Sequence, residues 1–450
     1  MISNKINNGI NGNPIIPGDK SISHRSIIIP SISNGACVVR NYLKSDDVIN
    51  TLKAFTSMGV KIEENQNEII INGNGLSSLK KPDKEIYLGN SGTSARLLTG
   101  LLASQNFDTI LTGDSSLSSR PMDRISKPLE KMNAEILTNN GRMPINIIGK
   151  NLTNTEIEIV IPSAQIKSGL ILAALNTKGI TKIIEHNITR DHTEIMLEYF
   201  GADILVKKEN KKKIIQINGK KELLSKNIDV PCDLSSSAFF IVAALINKNS
   251  HIILKSININ QTRNGILIAL EKMGAKINYL NKRFTNNEQI CDIEVKSSSL
   301  KGCELDGDIS KLMIDEYPIL SIAASFANSP SIFRGLNELR VKESDRLKLI
   351  NLNLLRCGVD NKIIGDDLFI NPSENYMIKN NTIKTDFDHR IAMAFAVMGT
   401  KLGPLNISDS NSINTSFPTF FDEFKKIGGI ISWNTKLSLS MVLQHQEKEK

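Results

Sequence analysis

Apolar and polar positions recur along this chain in one repeated pattern. A stretch with helical periodicity closes on a hydrophobic residue followed by Gly or Asn, and segments of period two come next. The phrase reads SMGVKIEE at Gly59, KMNAEILT at Asn133, YFGADILV at Gly201, KMGAKINY at Gly274, RCGVDNKI at Gly358 and KIGGIISW at Gly428. These anchors lie about 74, 68, 73, 84 and 70 residues apart. Gly, and Asn after it, accepts the left-handed backbone that ends a helix, so each anchor predicts a helix C-terminus. Segments such as Glu68–Asn72 and Lys213–Asn218 read as the strands that follow. A more apolar helix precedes most anchors, at Thr93–Ser104, Ser163–Leu175, Ser235–Ile246, Pro318–Ala327 and His389–Met398. These are apolar nearly all round and should be buried, whereas the helices ending at the anchors carry more Lys and Glu. The unit is strand, inner helix, strand, outer helix and two strands, six times over. A period of this length predicts α/β lobes rather than a solenoid.

Composition narrows the class. The chain has 450 residues, 40% hydrophobic and 23% charged, which fits a globular protein of two to four domains. No apolar run reaches a membrane span, and the N-terminal stretch lacks the apolar core of a signal peptide. The formal charge of +8 fits an anionic small ligand and is too scattered to demand nucleic acid. The run KKENKKK (207–213) reads as a solvated hairpin, because no aromatic residues interleave it to stack bases. Cys37, Cys232, Cys291, Cys303 and Cys357 are odd in number and far apart, so buried reduced thiols are expected in place of disulfides or zinc. The histidines show no metal spacing. The tail beyond Trp433 is polar at its end and expected to fray.

Candidate chemistry sits where the inner helices begin. GNSGTSAR (89–96), PSAQIKS (162–168), CDLSSS (232–237), DEYP (315–318) and DHR (388–390) all place capping residues before apolar helices. Free N–H groups and the positive dipole end make such a terminus an anion site, although plain capping would look the same. GNSGTSAR lacks the G-K-[ST] ending of a phosphate-binding loop. Basic residues accompany these starts: Lys20, Arg25, Arg96, Arg120, Arg124, Lys167, Arg190, Arg340, Lys342, Arg346 and Arg390. Arginine offers a planar fork for carboxylate and phosphate. KESDR (342–346) sets Glu343 and Asp345 between two cations, which is either local salt bridging or an acid poised for proton transfer.

Ten phrases in order resemble one family: PGDKSISHR, LGNSGTSARLLTGLLA, GDSSLSSRPM, PSAQIKSGLILAAL, TRDHTE, SSSAFFIVAAL, DEYPILSIAA, ELRVKESDRL, DHRIAMAFAV and TSFPTF. The chain resembles the 5-enolpyruvylshikimate-3-phosphate synthases (3-phosphoshikimate 1-carboxyvinyltransferases) from about Pro17 to Phe424. The resemblance implies transfer of the enolpyruvyl group of phosphoenolpyruvate to the 5-hydroxyl of shikimate 3-phosphate, with release of phosphate. No metal or other cofactor is implied. The implied fold is α/β, two similar domains of three βαβαββ units each, an inside-out α/β barrel arrangement with inner helices aimed at the cleft. Its expected boundaries are 19–232 for one domain, and 1–18 with 233–450 for the other. A cytoplasmic monomer without nucleic-acid or membrane partners is expected.

Matching phrases also imply roles. Lys20, Ser21, Arg25, Ser163, Ala164, Gln165, Arg190, Asp315 and Lys342 are expected at shikimate 3-phosphate. Lys20, Asn90, Gly92, Thr93, Arg120, Gln165, Arg346 and Arg390 are expected at phosphoenolpyruvate, with His389 adjoining. Asp315 corresponds to a base near the attacked hydroxyl, Glu343 to an acid near the methylene carbon, and Lys20 to a proton partner at the leaving phosphate. The two carboxylates need different environments to hold opposite protonation states.

Three positions bear on the pattern. Thr415 stands where one branch of the family has Lys, and Ser118 and Ser119 stand where basic residues are common. Gly92 is Ala in members that tolerate glyphosate, so sensitivity is expected here. The sister enzymes acting on UDP-N-acetylglucosamine usually carry a loop thiol near the Arg120 region, whereas no cysteine lies between Cys37 and Cys232. A catalytically dead binding protein would have lost Lys20, Asp315, Glu343 or Arg390, and all four are present.

Overall fold

A computed structural model describes residues 1–433 except Asn67, Lys211 and Glu374. The polar tail beyond Trp433 lies outside the described residues, as does the end of the expected 233–450 segment.

All six anchors adopt the left-handed backbone, with φ of +84° at Gly59, +64° at Asn133, +82° at Gly201, +85° at Gly274, +81° at Gly358 and +114° at Gly428. The helices ending there feed six four-stranded sheets. The plainest unit runs Ile86–Tyr87, helix Gly92–Ala103, Thr109–Thr112, helix Asp123–Glu130, Glu135–Asn139 and Arg142–Ile148. Its first two strands pair in parallel and the others antiparallel. The inner helices span Lys20–Ser31, Gly92–Ala103, Ala164–Leu175, Leu234–Ile246, Tyr317–Ser325 and His389–Leu402. Leu234–Ile246 is buried along its whole length, as its apolar circumference requires. Helices thus fill the interior and sheets face outward.

Three units borrow a strand from a distant part of the chain. Ile228–Asp229 joins the sheet of Asn34–Arg40 in parallel, and Asn11–Gly12 joins His251–Asn258. Ile2–Asn4 inserts between Leu405–Ile407 and Ile430–Ser432. The crossing segments meet at a bridge between Gly18 and Cys232, where Asp19 N–H donates to Pro231 O (2.8 Å) and Asp233 N–H to Pro17 O (2.9 Å). Two apolar cores lie on either side. One is built from residues between Ile22 and Val230, and the other from Met1 to Ile16 together with Leu234 to Ile431.

Two details differ from the sequence reading. Lys213 in the charge run is buried and pairs with Glu194 (3.0 Å) and Asp191 (3.5 Å), so the hairpin is solvated on one face only. All five cysteines are free; four are buried, but Cys232 at the crossing is half-buried. Burial pushes the Cys37 and Cys357 thiols up to about 12. No group of His, Cys, Asp and Glu able to hold a metal occurs among the described residues.

Candidate active site

Five of the six inner helices start on a Ser or Asp whose side chain accepts from the first turn. Asp19 accepts from Ile22 N–H, Ser91 from Ser94, Ser163 from Ile166, Asp233 from Ser235 and Ser236, and Asp388 from Arg390. The Tyr317–Ser325 helix follows a single 3-10 turn, Ile314–Glu316, and has no side-chain cap. Capping is therefore real at these phrases. The remaining first-turn N–H groups still point out of the helix ends, with the dipole positive there.

The first-half helix starts hold one another through neutral partners. Arg25 is buried and donates to Thr193 Oγ1 (2.7 Å), Ser168 Oγ (2.7 Å) and Ser21 O (2.8 Å). This ties the Lys20–Ser31 helix to the start of Ala164–Leu175, where Ser163 is the cap and Ala164 the first helical residue. Gln165 accepts from Arg96 Nη1 (2.8 Å) and donates to Thr93 Oγ1 (3.0 Å), joining the second and third helix starts. Arg120 donates to Asn90 Oδ1 and to Ser116 Oγ (3.2 Å). Asn90 in turn donates to Asp114 (3.1 Å). Gly92 leaves space for these groups: a Cβ there would stand 2.8 Å from Arg96 Nη1 and 3.0 Å from Arg120 Nη1. Ser118 and Ser119 only close local turns, to Gly113 O and Ser116 O.

The second half contributes a carboxylate cluster around Arg346, which is 1% exposed. Its Nε reaches Asp388 (2.8 Å), Nη1 reaches Asp315 (3.1 Å) and Nη2 reaches Glu343 (2.6 Å). Lys342 Nζ lies 3.4 Å from Asp315, and Arg390 Nη1 donates to Asp315 O (3.2 Å). Burial alone would raise the Asp315 carboxyl, but Lys342, Arg190, Arg390 and Arg346 outweigh it and hold it well below the usual range. Burial is likewise outweighed at Glu343, where Arg346 keeps the carboxyl well below its ordinary value. His389 is pushed down to about 3 by burial and is neutral. KESDR is thus local pairing and more: Glu343 and Arg346 pair within the helix start, and Arg346 also reaches two carboxylates remote in sequence.

The halves face each other across this cleft. Arg190 from the first half reaches Asp315 Oδ2 (2.6 Å), and Arg124 reaches Glu338 (3.3 Å). Lys20 pairs with Asp47 (2.5 Å), and its ammonium lies 3.5 Å from Thr415 O of the second half. Thr415 therefore meets the cleft through its carbonyl.

Sequence reasoning missed Asp47, Asp388, Thr193 and Ser168 as partners. Asp388 carried a signal, since it caps the helix of DHR. Ser168 and Thr193 lie inside the phrases PSAQIKS and TRDHTE, but their partner Arg25 is remote in sequence, and nothing local marks Asp47. The phrase TSFPTF is half packing, because Phe417 and Phe420 are buried against Phe240 at centroid distances of 5.7 and 5.6 Å.

Comparison with known proteins supplies the rest. Residues 5–424 match the family described as EPSP synthase (3-phosphoshikimate 1-carboxyvinyltransferase). A 3-phosphoshikimate 1-carboxyvinyltransferase of Vesicomyosocius okutanii is 43% identical over 94% of this chain and 97% of its own. One from Geobacter metallireducens is 42% identical over 93% and 97%. The solved structure of EPSP synthase from Acinetobacter baumannii superposes with a TM-score of 0.85 at 41% identity, covering 96% of this chain and 99% of that one.

Proposed function

The chain belongs to the EPSP synthase family, and from that premise we propose how its cleft divides the work of the family's reaction. That reaction transfers the enolpyruvyl group of phosphoenolpyruvate to the 5-hydroxyl of shikimate 3-phosphate and releases phosphate, in the shikimate pathway.

Both substrates are multiply anionic. Their approach needs concentrated positive charge, which Arg, Lys and helix N-termini supply in this cleft. We assign shikimate 3-phosphate to Lys20, Ser21, Arg25, Ser163, Ala164, Gln165, Arg190, Asp315 and Lys342. Phosphoenolpyruvate is assigned to Lys20, Asn90, Gly92, Thr93, Arg120, Gln165, Arg346 and Arg390. The chemistry is addition followed by elimination. Protonation at C3 of phosphoenolpyruvate makes C2 electrophilic, and the 5-hydroxyl of shikimate 3-phosphate adds there while losing its proton. Return of a C3 proton to Glu343 and departure of phosphate with a proton from Lys20 then form the enol ether. Glu343 is the acid at C3, Asp315 the base at the hydroxyl, and Lys20 the proton partner at the departing phosphate.

The supporting observation is the convergence on Asp315. Arg190 from one half and Lys342 and Arg346 from the other all lie within 3.4 Å of its carboxylate. Contact with Arg346 holds the Glu343 carboxyl well below its ordinary value, which makes it a poor proton donor. The incoming carboxylate of phosphoenolpyruvate competes for Arg346 and Arg390. Weakening that contact raises the Glu343 pKa toward the range an acid needs. Asp315 is held down by four cations, Lys342, Arg190, Arg390 and Arg346, and so stays ionised when some of them are shared with substrate, whereas Glu343 depends chiefly on Arg346.

We further propose that the two apolar cores correspond to domains 19–232 and 1–18 with 233–450, closing on substrate to exclude water. A monomer is also proposed. A cytoplasmic setting is proposed because all five thiols are free. Phosphate release tests the assignment. Phosphoenolpyruvate with shikimate 3-phosphate should release phosphate, and UDP-N-acetylglucosamine in place of shikimate 3-phosphate should not. The reverse pattern would overturn it.

A further inference from the structure

Behind the cleft, where the chain crosses between halves, two buried carboxylates face one guanidinium. Asp19 and Asp233 are corresponding residues, each capping the inner helix that follows a crossing segment. The backbone pairing at Gly18 and Cys232 brings the two caps together. Arg263 sits between them, on the turn before the outer helix Gly265–Lys272. Its Nη1 lies 3.0 Å from Asp19 Oδ2, and its Nη2 lies 2.8 Å from Asp233 Oδ1 and 2.6 Å from Ser235 Oγ. The Asp19 contact is at ion-pair distance but off the hydrogen-bond axis. All three ionic side chains are almost wholly buried.

Both ends of this clamp lead to the cleft. On the first-half side, Arg263 Nη1 is 3.5 Å from Ser21 Oγ, one residue from Lys20. On the second-half side, Ser235 Oγ donates to Glu316, which neighbours Asp315 and lies 3.6 Å from Arg390. Burying three charges for stability alone is a poor arrangement, since well-packed apolar groups do as well. A planar fork spanning two helix caps instead fixes their distance and angle, which a flexible ammonium would not.

We propose that Arg263 is a positioning residue for the transfer reaction: its guanidinium sets the separation and orientation of two facing helix N-termini, one from each half, between which the substrates react. The inference rests on the reading of Lys20, Ser21, Asp315 and Arg390 as substrate-facing. Each substrate is assigned two second-half groups, Asp315 and Lys342 for shikimate 3-phosphate and Arg346 and Arg390 for phosphoenolpyruvate, but both of the latter are cations holding its charge, and the clamp reaches Arg390 through Ser235 and Glu316. Misaligned halves therefore weaken phosphoenolpyruvate first.

The test uses the full chain with Arg263→Lys and Arg263→Gln, measured by steady-state phosphate release, by calorimetric binding of shikimate 3-phosphate alone, and by thermal unfolding. For Arg263→Lys the expected result is a KM for phosphoenolpyruvate raised roughly tenfold and a kcat lowered roughly tenfold, with shikimate 3-phosphate affinity nearly unchanged. Should Arg263→Gln fail to fold, Arg263→Lys decides alone. Wild-type parameters in Arg263→Lys overturn the proposal. A loss of maximal rate with both KM values unchanged also overturns it, as does failure of both variants to fold, because each marks a purely structural role. Ser21→Ala run alongside separates the two levels. If it leaves both substrates unaffected while Arg263→Lys does not, the site assignment falls and the clamp stands.

Discussion

The two walls of the cleft handle charge in opposite ways. On the first-half wall, Lys20 and Arg190 are paired with Asp47 and Asp315, but Arg25, Arg96 and Arg120 donate to hydroxyls, amides and carbonyls with no carboxylate in direct contact. On the second-half wall, the charge of Arg346 is shared among Asp315, Glu343 and Asp388. An uncancelled cation attracts phosphate and carboxylate. A cation shared with carboxylates controls their protonation, and a competing anion changes that control. Most of the binding groups thereby lie on the first wall and the two proton-transferring carboxylates on the second, and the contrast predicts different costs for similar substitutions.

Arg346→Met should be the most damaging. It leaves three carboxylates without their shared partner, so stability should fall by about 3–5 kcal/mol. In the folded fraction, kcat/KM should fall by roughly 10²–10³-fold or more. Denaturant unfolding and kinetics on one preparation check both. An Arg346→Met protein of wild-type stability would erase the distinction between the walls. Arg120→Gln, in contrast, strands no carboxylate. Its KM for phosphoenolpyruvate should rise by roughly 10–100-fold, the worth of a charged hydrogen bond, with the unfolding midpoint unmoved. A large stability loss there would contradict the account of the first wall.

Gly92→Ala is a finer probe of that wall. The new Cβ would meet the ends of two flexible side chains at 2.8 and 3.0 Å, so Arg96 and Arg120 must shift slightly. The KM for phosphoenolpyruvate should rise by only about 3–10-fold, with the fold intact. The smallest effect concerns acid. Asp315 and Glu343 have pKa values below those of the unfolded chain. Their stabilisation is therefore fully present above about pH 4 and drains away as pH falls toward the lower folded values. Asp315→Asn with Glu343→Gln should flatten the stability profile below about pH 4. An unchanged acid limb in unfolding titrations would show that the pairs hold no such linkage.

Much of this architecture was legible in the sequence, for local reasons. The six anchors could be found because only Gly and Asn tolerate the left-handed backbone cheaply, and five of the six inner helices because their circumference is apolar; Lys20–Ser31, with Ser, His and Arg along it, was missed. The borrowed strands Ile2–Asn4, Asn11–Gly12 and Ile228–Asp229 could not, since two or three residues carry no period. The pairing of Glu343 with Arg346 was visible at helical spacing. The contacts of Arg346 with Asp388, of Lys20 with Asp47 and of Lys213 with Glu194 are set by tertiary packing between distant segments. Lys213 shows the cost: inside a run of exposed lysines, nothing local distinguishes the one that is buried.

The claim that the second wall holds the acid and the base while the first holds most of the binding groups is tested most directly by Glu343→Gln. Amide replaces carboxyl at nearly equal size, and the change leaves every first-wall contact in place. Shikimate 3-phosphate affinity and the KM for phosphoenolpyruvate should stay close to wild type. Single-turnover phosphate release should slow by roughly 10²–10⁴-fold. Release at the wild-type rate would contradict the account.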